Sequence, residues 1–251
     1  GPPCQPFSVG GQDGGAADPR DGWPIAIRAV RDIQPRGFIF ENVAGLMRDQ
    51  FTEYRDHIQE QFWDMGYSVH LHSVDAVDYG VPQYRKRLFM IGVKGVSWFQ
   101  RPATIEPHKT VRDMMADLGP PNGRNGHVVH TTCIPASYPG HTGSTMDKPS
   151  KTVTAGMHGA SGGMGAITLD DGSVRYFTGR EFARLQTFPD TYVLPQTWSH
   201  MIKMMGNACP ALLVRPFAEE LLRRIDSVPR VVKRQRTDSR PRSPSLVLFP
   251  E

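Results

Sequence analysis

The feature that most limits how this chain can fold is the alternation of helical and strand texture from Trp23 to Val96. Trp23 to Ile33 carries apolar residues at helical spacing, and Phe38–Glu41 is a short apolar strand with Glu41 at its end. Phe51 to Met65 reads as a second amphipathic helix, Tyr67–Val74 alternates like a strand, and Arg87–Val93 is a further strand. Helices alternating with strands predict a wound α/β sheet. From Pro102 to about Gly172 the texture changes: Gly, Pro, His and Thr dominate and helical spacing is lost after Leu118, which predicts loops and short strands in a second, small domain. Thr178 is placed to cap a helix over the residues up to Gln186, and a last amphipathic helix runs to about Ile225.

These readings divide the chain into residues 1–101, an α/β part; 102–175, a small region of loops and short strands; 176–226, helices returning to the first part; and 227–251, a disordered basic tail rich in Pro, Ser and Arg. The formal charge of +4 belongs to that tail. Residues 230–251 hold Arg230, Lys233, Arg234, Arg236, Arg240 and Arg242 against Asp238 and Glu251, so residues 1–229 net to zero. Binding to nucleic acid by the body of the protein must therefore rest on local patches. No run of eighteen apolar residues offers a membrane-spanning helix, and no membrane partner is expected. Three widely spaced cysteines, Cys4, Cys133 and Cys209, suit a reducing compartment better than a disulfide framework. His127, His130 and Cys133 lack a fourth ligand at sensible spacing. No metal site is expected, and DNA-facing or polar loop histidines are the better reading.

Chemistry concentrates in four short segments. Gly1-Pro2-Pro3-Cys4-Gln5-Pro6-Phe7-Ser8 sets a cysteine between prolines, whose fixed φ predicts an extended turn around a reactive thiol. Phe38 to Val43 ends in Glu41-Asn42-Val43; Asp78 to Arg87 contains Pro82-Gln83-Tyr84-Arg85-Lys86-Arg87; and Met205-Gly206-Asn207-Ala208 precedes the last helix, with Asn207 as its natural N-cap. In this order the four segments resemble the motif series of the C5 cytosine DNA methyltransferases of bacterial and phage type. Lys148 to Gly156 resembles the ninth motif of that family, which supports its target recognition domain.

The resemblance implies a Rossmann-like S-adenosylmethionine-dependent fold with a small irregular recognition domain. It also implies DNA (cytosine-5)-methylation of a base flipped out of double-stranded DNA, bacterial or phage origin, cytoplasmic location and a place in restriction–modification. Carbon 5 of cytosine is a poor nucleophile until a thiolate adds to C6, and a proton donor at N3 must then meet the developing charge. Cys4 matches the nucleophile. Glu41 matches the acid, its pKa expected to be raised by apolar neighbours, and Arg85 and Arg87 match the cations beside the base. Cofactor contacts fall on Pro3, Trp23, Asn207 and Ala208, and DNA contacts on Gln5, Ser8, Gln83, Arg124, Asn125 and Thr154, with Thr131 and Thr132 also available for base readout.

The family's opening strand and Phe-x-Gly-x-Gly cofactor turn have no counterpart in these residues. The expectation is a fragment of a single-chain enzyme, or the larger subunit of a split one whose partner carries the cofactor loop. Phe38–Glu41 should then lack sheet neighbours, and the chain alone should bind S-adenosylmethionine poorly and fold weakly. A noncatalytic DNA-binding remnant is a third reading, which the presence of Cys4, Glu41, Arg85 and Arg87 opposes. RNA stays an alternative substrate because a cousin in the family methylates tRNA.

Overall fold

In the computed structural model, residues 1–8, 14–129, 135, 143–155 and 165–228 are described. The first part is built from α1 (Trp23–Ile33), β1 (Gly37–Val43), α2 (Thr52–Asp64), β2 (Tyr67–Asp75) and β3 (Lys86–Lys94). Pro24 in the first turn of α1 costs no intrahelical bond, and Gln34 ends the helix in the left-handed conformation at φ 49°.

The sheet order is β1-β3-β2, with β3 antiparallel to both neighbours, so β1 and β2 run parallel with a reversed strand between them. The alternating helices and strands of a wound sheet are present, but the middle strand is inverted. The reason is length: a parallel crossover needs roughly a dozen residues or more, and the Ala76–Arg85 connection is shorter.

As the central strand, β3 is buried on both faces. Leu88 and Met90 join Ile27, Val30, Ile58 and Phe62 under α1 and α2, while Phe89, Ile91 and Val93 join Leu213, Phe217 and Leu221 of α6 (Ala211–Ser227) on the other side. Each of these fully buried side chains contributes about 1.5–3 kcal/mol. Gly92 makes room for the Phe38 ring, since a Cβ there would lie 2.2 Å from its nearest carbon. The expectation that Phe38–Glu41 lacks sheet neighbours is corrected here. β3 pairs with β1 from Gly37 to Val43, and the sheet's two outer edges, on β1 and on β2, are without a partner among the described residues. Glu41 also lies inside the strand, two residues before its end.

The small lobe holds α3 (Val111–Met115), β4 (Ser144–Thr145), β5 (Ala166–Thr168), β6 (Val174–Tyr176), α4 (Gly179–Leu185) and α5 (Trp198–Asn207). Its core joins Val111, Val153, Ile167, Phe177, Phe182, Leu185, Met201, Ile202 and Met205. Thus α4 and α5 belong to the small lobe, and of residues 176–226 only α6 returns to the catalytic sheet. Thr178 caps α4 in a reciprocal box with Glu181, which also pairs with Arg175 at 2.7 Å.

The sequence reading missed α5. Met205-Gly206-Asn207 reads as one start signal, whereas it ends one helix before Pro210 caps the next. Asn207 is therefore the last residue of α5 and not an N-cap. His127 is no DNA-facing side chain: it is buried, with Nδ1 2.9 Å from the Thr178 hydroxyl and Nε2 3.2 Å from the Gly119 carbonyl. His130, Thr131, Thr132 and Cys133 lie outside the described residues, as does the tail from Pro229 onward. Among the described residues no cluster of three His, Cys, Asp or Glu could hold a metal, and no helix is long and apolar enough to cross a membrane.

Candidate active site

The cysteine loop is held at both ends. Asn42, buried next to Glu41 on β1, donates its side-chain amide to the Pro2 carbonyl at 3.3 Å and accepts from the Val43 N–H at 2.9 Å. Downstream, Phe7 is wholly buried against Phe51 and Tyr54, and the Arg48 guanidinium donates to its carbonyl at 2.8 Å. Between these anchors Cys4 is half-buried and opens a 3-10 turn, Gln5–Phe7, with helical φ and ψ of −89° and −12°. The extended turn expected around Cys4 is corrected accordingly. Proline at the second or third position of a tight turn supplies the φ that the turn needs.

Cys4 and Glu41 line one cavity of about 670 Å³, together with Gly1, Pro2, Pro3, Gln5, Arg20, Asn207 and Cys209. Glu41 is not set among apolar groups as expected. Its carboxylate lies 2.7 Å from the Arg87 Nε, an ion pair by distance though off the line of the N–H, and its side chain stays one-quarter exposed. Register explains the pairing, since Val43 of β1 lies opposite Arg87 of β3 and Glu41 opposite Phe89. A second thiol, Cys209, faces the same cavity; burial and the Glu41 charge push its pKa up to about 12, so it stays protonated.

Arg85, two residues from Arg87, points elsewhere. It is buried, and its guanidinium donates to the carbonyls of Val153 (2.6 Å), Gly206 (2.8 Å) and Ala208 (2.8 Å). Burial, and then the Arg87 charge, pull its pKa down to about 9. Gln83 is likewise wholly buried, donating to the Leu185 carbonyl at 3.1 Å and the Gln186 side-chain oxygen at 3.2 Å and accepting from the Val153 N–H at 2.9 Å. Gln186 donates in turn to the carbonyls of Met205 and Ala208. Four segments distant in sequence, at Gln83–Arg85, Val153, Leu185–Gln186 and Met205–Ala208, therefore meet in one buried polar seam. Gly206 permits the approach, since a Cβ there would lie 2.2 Å from the Ala155 nitrogen.

The other residues named from sequence divide clearly. Pro3, Gln5 and Asn207 line the cavity. Trp23, named for the cofactor, is buried in the core edge-on to Phe40, and Ala208 lines a different cavity. Gln83 and Asn125, named for DNA, are committed within the protein. The Asn125 amide donates to the Asp190 carbonyl at 2.8 Å and accepts from the Leu194 N–H at 3.4 Å. Arg124 is exposed, Ser8 and Thr154 are half-buried, and none of the three lines the cavity. Sequence reasoning missed Arg20 and the placement of Cys209 at the cavity. Arg20 sits in a charged loop, paired with Asp18 at 2.6 Å, and no motif marks it.

The family model of the C-5 cytosine-specific DNA methylase matches residues 1–125 and 134–223. Type II methyltransferase M.AplI of Arthrospira platensis is 34% identical over 238 residues, covering 91% of this chain and 69% of the relative. Type II methyltransferase M.NgoMIV of Neisseria gonorrhoeae is 33% identical over 240 residues, covering 90% of this chain and 75% of the relative. Among solved structures, the Entamoeba histolytica methyltransferase EhMeth superposes with a TM-score of 0.69 at 16% identity, over 89% of this chain and 76% of that one. The S. pombe Dnmt2 methyltransferase gives 0.67 at 19% identity, over 90% and 77%. The structural likeness establishes a methyltransferase fold. With the family model spanning most of the sequence, the chain that brings Cys4 and Glu41 to one cleft belongs to the C-5 cytosine-specific DNA methylase family.

Proposed function

We propose that this chain transfers a methyl group to carbon 5 of a cytosine flipped out of duplex DNA, with Cys4 as nucleophile and Glu41 as the group that meets N3. The observation that carries this reading is the shared cavity of Cys4 and Glu41, with Arg87 on the Glu41 carboxylate. The Cys4 thiolate adds to C6, forming the S–C6 bond and moving the ring's electron pair toward C5 and N3. Glu41 delivers a proton or hydrogen bond to N3, and Arg87 holds Glu41 while placing positive charge beside the base. S-adenosylmethionine, the methyl donor of this family, supplies an electrophilic methyl carbon when bound. After transfer, the C5 proton passes to a water or a base, its electron pair expels Cys4, and N3 returns to Glu41 any proton it took, restoring the aromatic ring, the thiolate and the acid. In this reading Arg85 positions the loop and does not touch the base.

Of the four residues named for the cofactor, Pro3 and Asn207 reach the cavity and would hold S-adenosylmethionine near Cys4. We read its main binding loop as lying outside residues 1–251, on a longer form of the polypeptide or on a partner subunit; the open outer edge of β1 supports this. Micromolar binding of S-adenosylmethionine by the 251-residue chain alone, measured by calorimetry, would overturn that part.

The central test is covalent trapping. With a 5-fluorocytosine duplex and S-adenosylmethionine, the enzyme completed by its cofactor loop should form an adduct that survives denaturation. Cys4→Ser should abolish it, whereas loss of Cys209 or Cys133 should not. An adduct persisting in Cys4→Ser would refute the assignment.

A further inference from the structure

We infer that a second cavity, beside the catalytic cleft, seats the sugar–phosphate backbone of the DNA strand flanking the flipped cytosine, with Lys203 and His200 at the phosphate. This rests on the function proposed above and names where the strand next to the target runs. The cavity, of about 590 Å³, is lined by Pro195, His200, Lys203, Met204, Asn207 and Ala208. It shares Asn207 with the cleft that holds Cys4 and Glu41, so a strand leaving the cleft on that side passes directly onto it.

Helical geometry makes this surface a built one. His200, Lys203 and Asn207 are spaced three and four residues apart and so share one exposed face of α5. The opposite face carries Met201, Ile202 and Met205 into the small-lobe core, and Gly206 is locked against the backbone of Thr154 and Ala155. The exposed stripe is therefore held in orientation by the same packing that holds Asn207 at the cleft. Its floor, Pro195, Met204 and Ala208, is apolar and suits the hydrocarbon face of a deoxyribose. Its rim offers an ammonium, an imidazole and an amide to an anion.

Charge complementarity selects the occupant. No acidic residue lines this cavity, α5 carries none, and among the described residues neither Lys203 nor His200 has an ion-pair partner. Elsewhere on the surface, Arg20, Arg112, Arg184 and Arg215 are matched to carboxylates at 2.5–2.8 Å. A lysine left unmatched beside the reacting groups is what a phosphate contact requires.

The test measures the dissociation constant of fluorescein-labelled 30-base-pair duplexes as a function of salt, for the enzyme completed by its cofactor loop as wild type, Lys203→Ala and Lys203→Arg. Lys203→Ala should make the log–log salt slope shallower by about 0.9. It should also weaken A·T-rich and G·C-rich duplexes by the same factor, since phosphates carry no sequence. Lys203→Arg should restore the slope, and melting curves should not distinguish the three proteins. An unchanged slope in Lys203→Ala, or an effect confined to S-adenosylmethionine binding, would overturn this inference while leaving the proposed function standing. A completed wild-type enzyme that binds no duplex at any salt would overturn both.

Discussion

The catalytic cleft and the polar seam beside it draw on the same short segment, Gln83 to Arg87, and use its polar groups in opposite ways. At the cleft, Glu41 is one-quarter exposed and has Arg87 as its ionic partner, while Arg87 also donates to the carbonyl of its neighbour Lys86 at 2.7 Å. In the seam, Gln83 and Arg85 are buried, and their donors reach carbonyls of three other segments. A polar group still available to a substrate belongs to chemistry, whereas one consumed by backbone carbonyls belongs to architecture. Two arginines two residues apart thus fall into different classes. The strand period accounts for part of this: within β3 successive side chains alternate faces, but Arg85 precedes the strand and turns toward the small lobe.

The sharpest way to break the contrast is at Glu41. Glu41→Gln keeps the shape and removes the acid, and turnover should fall by roughly 10²–10⁴ with little change in melting temperature. A variant as active as the wild type would remove Glu41 from the proposed chemistry. The arginines give a paired comparison with smaller effects. Arg85→Ala strands the carbonyls of Val153 and Gly206, since Gln186 still donates to that of Ala208; at about 1–3 kcal/mol each, it should lower the melting temperature by about 4–24 °C. Arg87→Ala should shift melting by less than about 4 °C and instead cost roughly 10²–10³ in turnover. Equal melting losses in the two variants would show that the cleft and the seam are one structural unit after all.

Much of the fold was legible because local pattern and tertiary role coincide. The apolar spacing of Trp23–Ile33 became α1, the run from Leu88 to Val93 became a buried strand, and Thr178 with Glu181 became a cap. The misreadings arose where one segment serves two elements. Met205 to Pro210 ends α5 and starts α6, and an isolated sequence offers no cue to split it. Trp23 and Gln83, named for ligand contacts, are buried for a related reason, since residue type gives chemistry but not accessibility.

By itself, the sequence determined the family and the order of the motifs: a cysteine in a proline-bounded turn and a glutamate on an apolar strand are local facts. Only the tertiary structure decided which arginine pairs with Glu41, that the small lobe claims α4 and α5, and that Asn207 lines two cavities. Those outcomes depend on strand register and on the packing of segments more than a hundred residues apart, such as Arg85 on Gly206 and Ala208. No local propensity encodes such contacts. They follow from the requirement that every buried donor and acceptor find a partner in the folded chain.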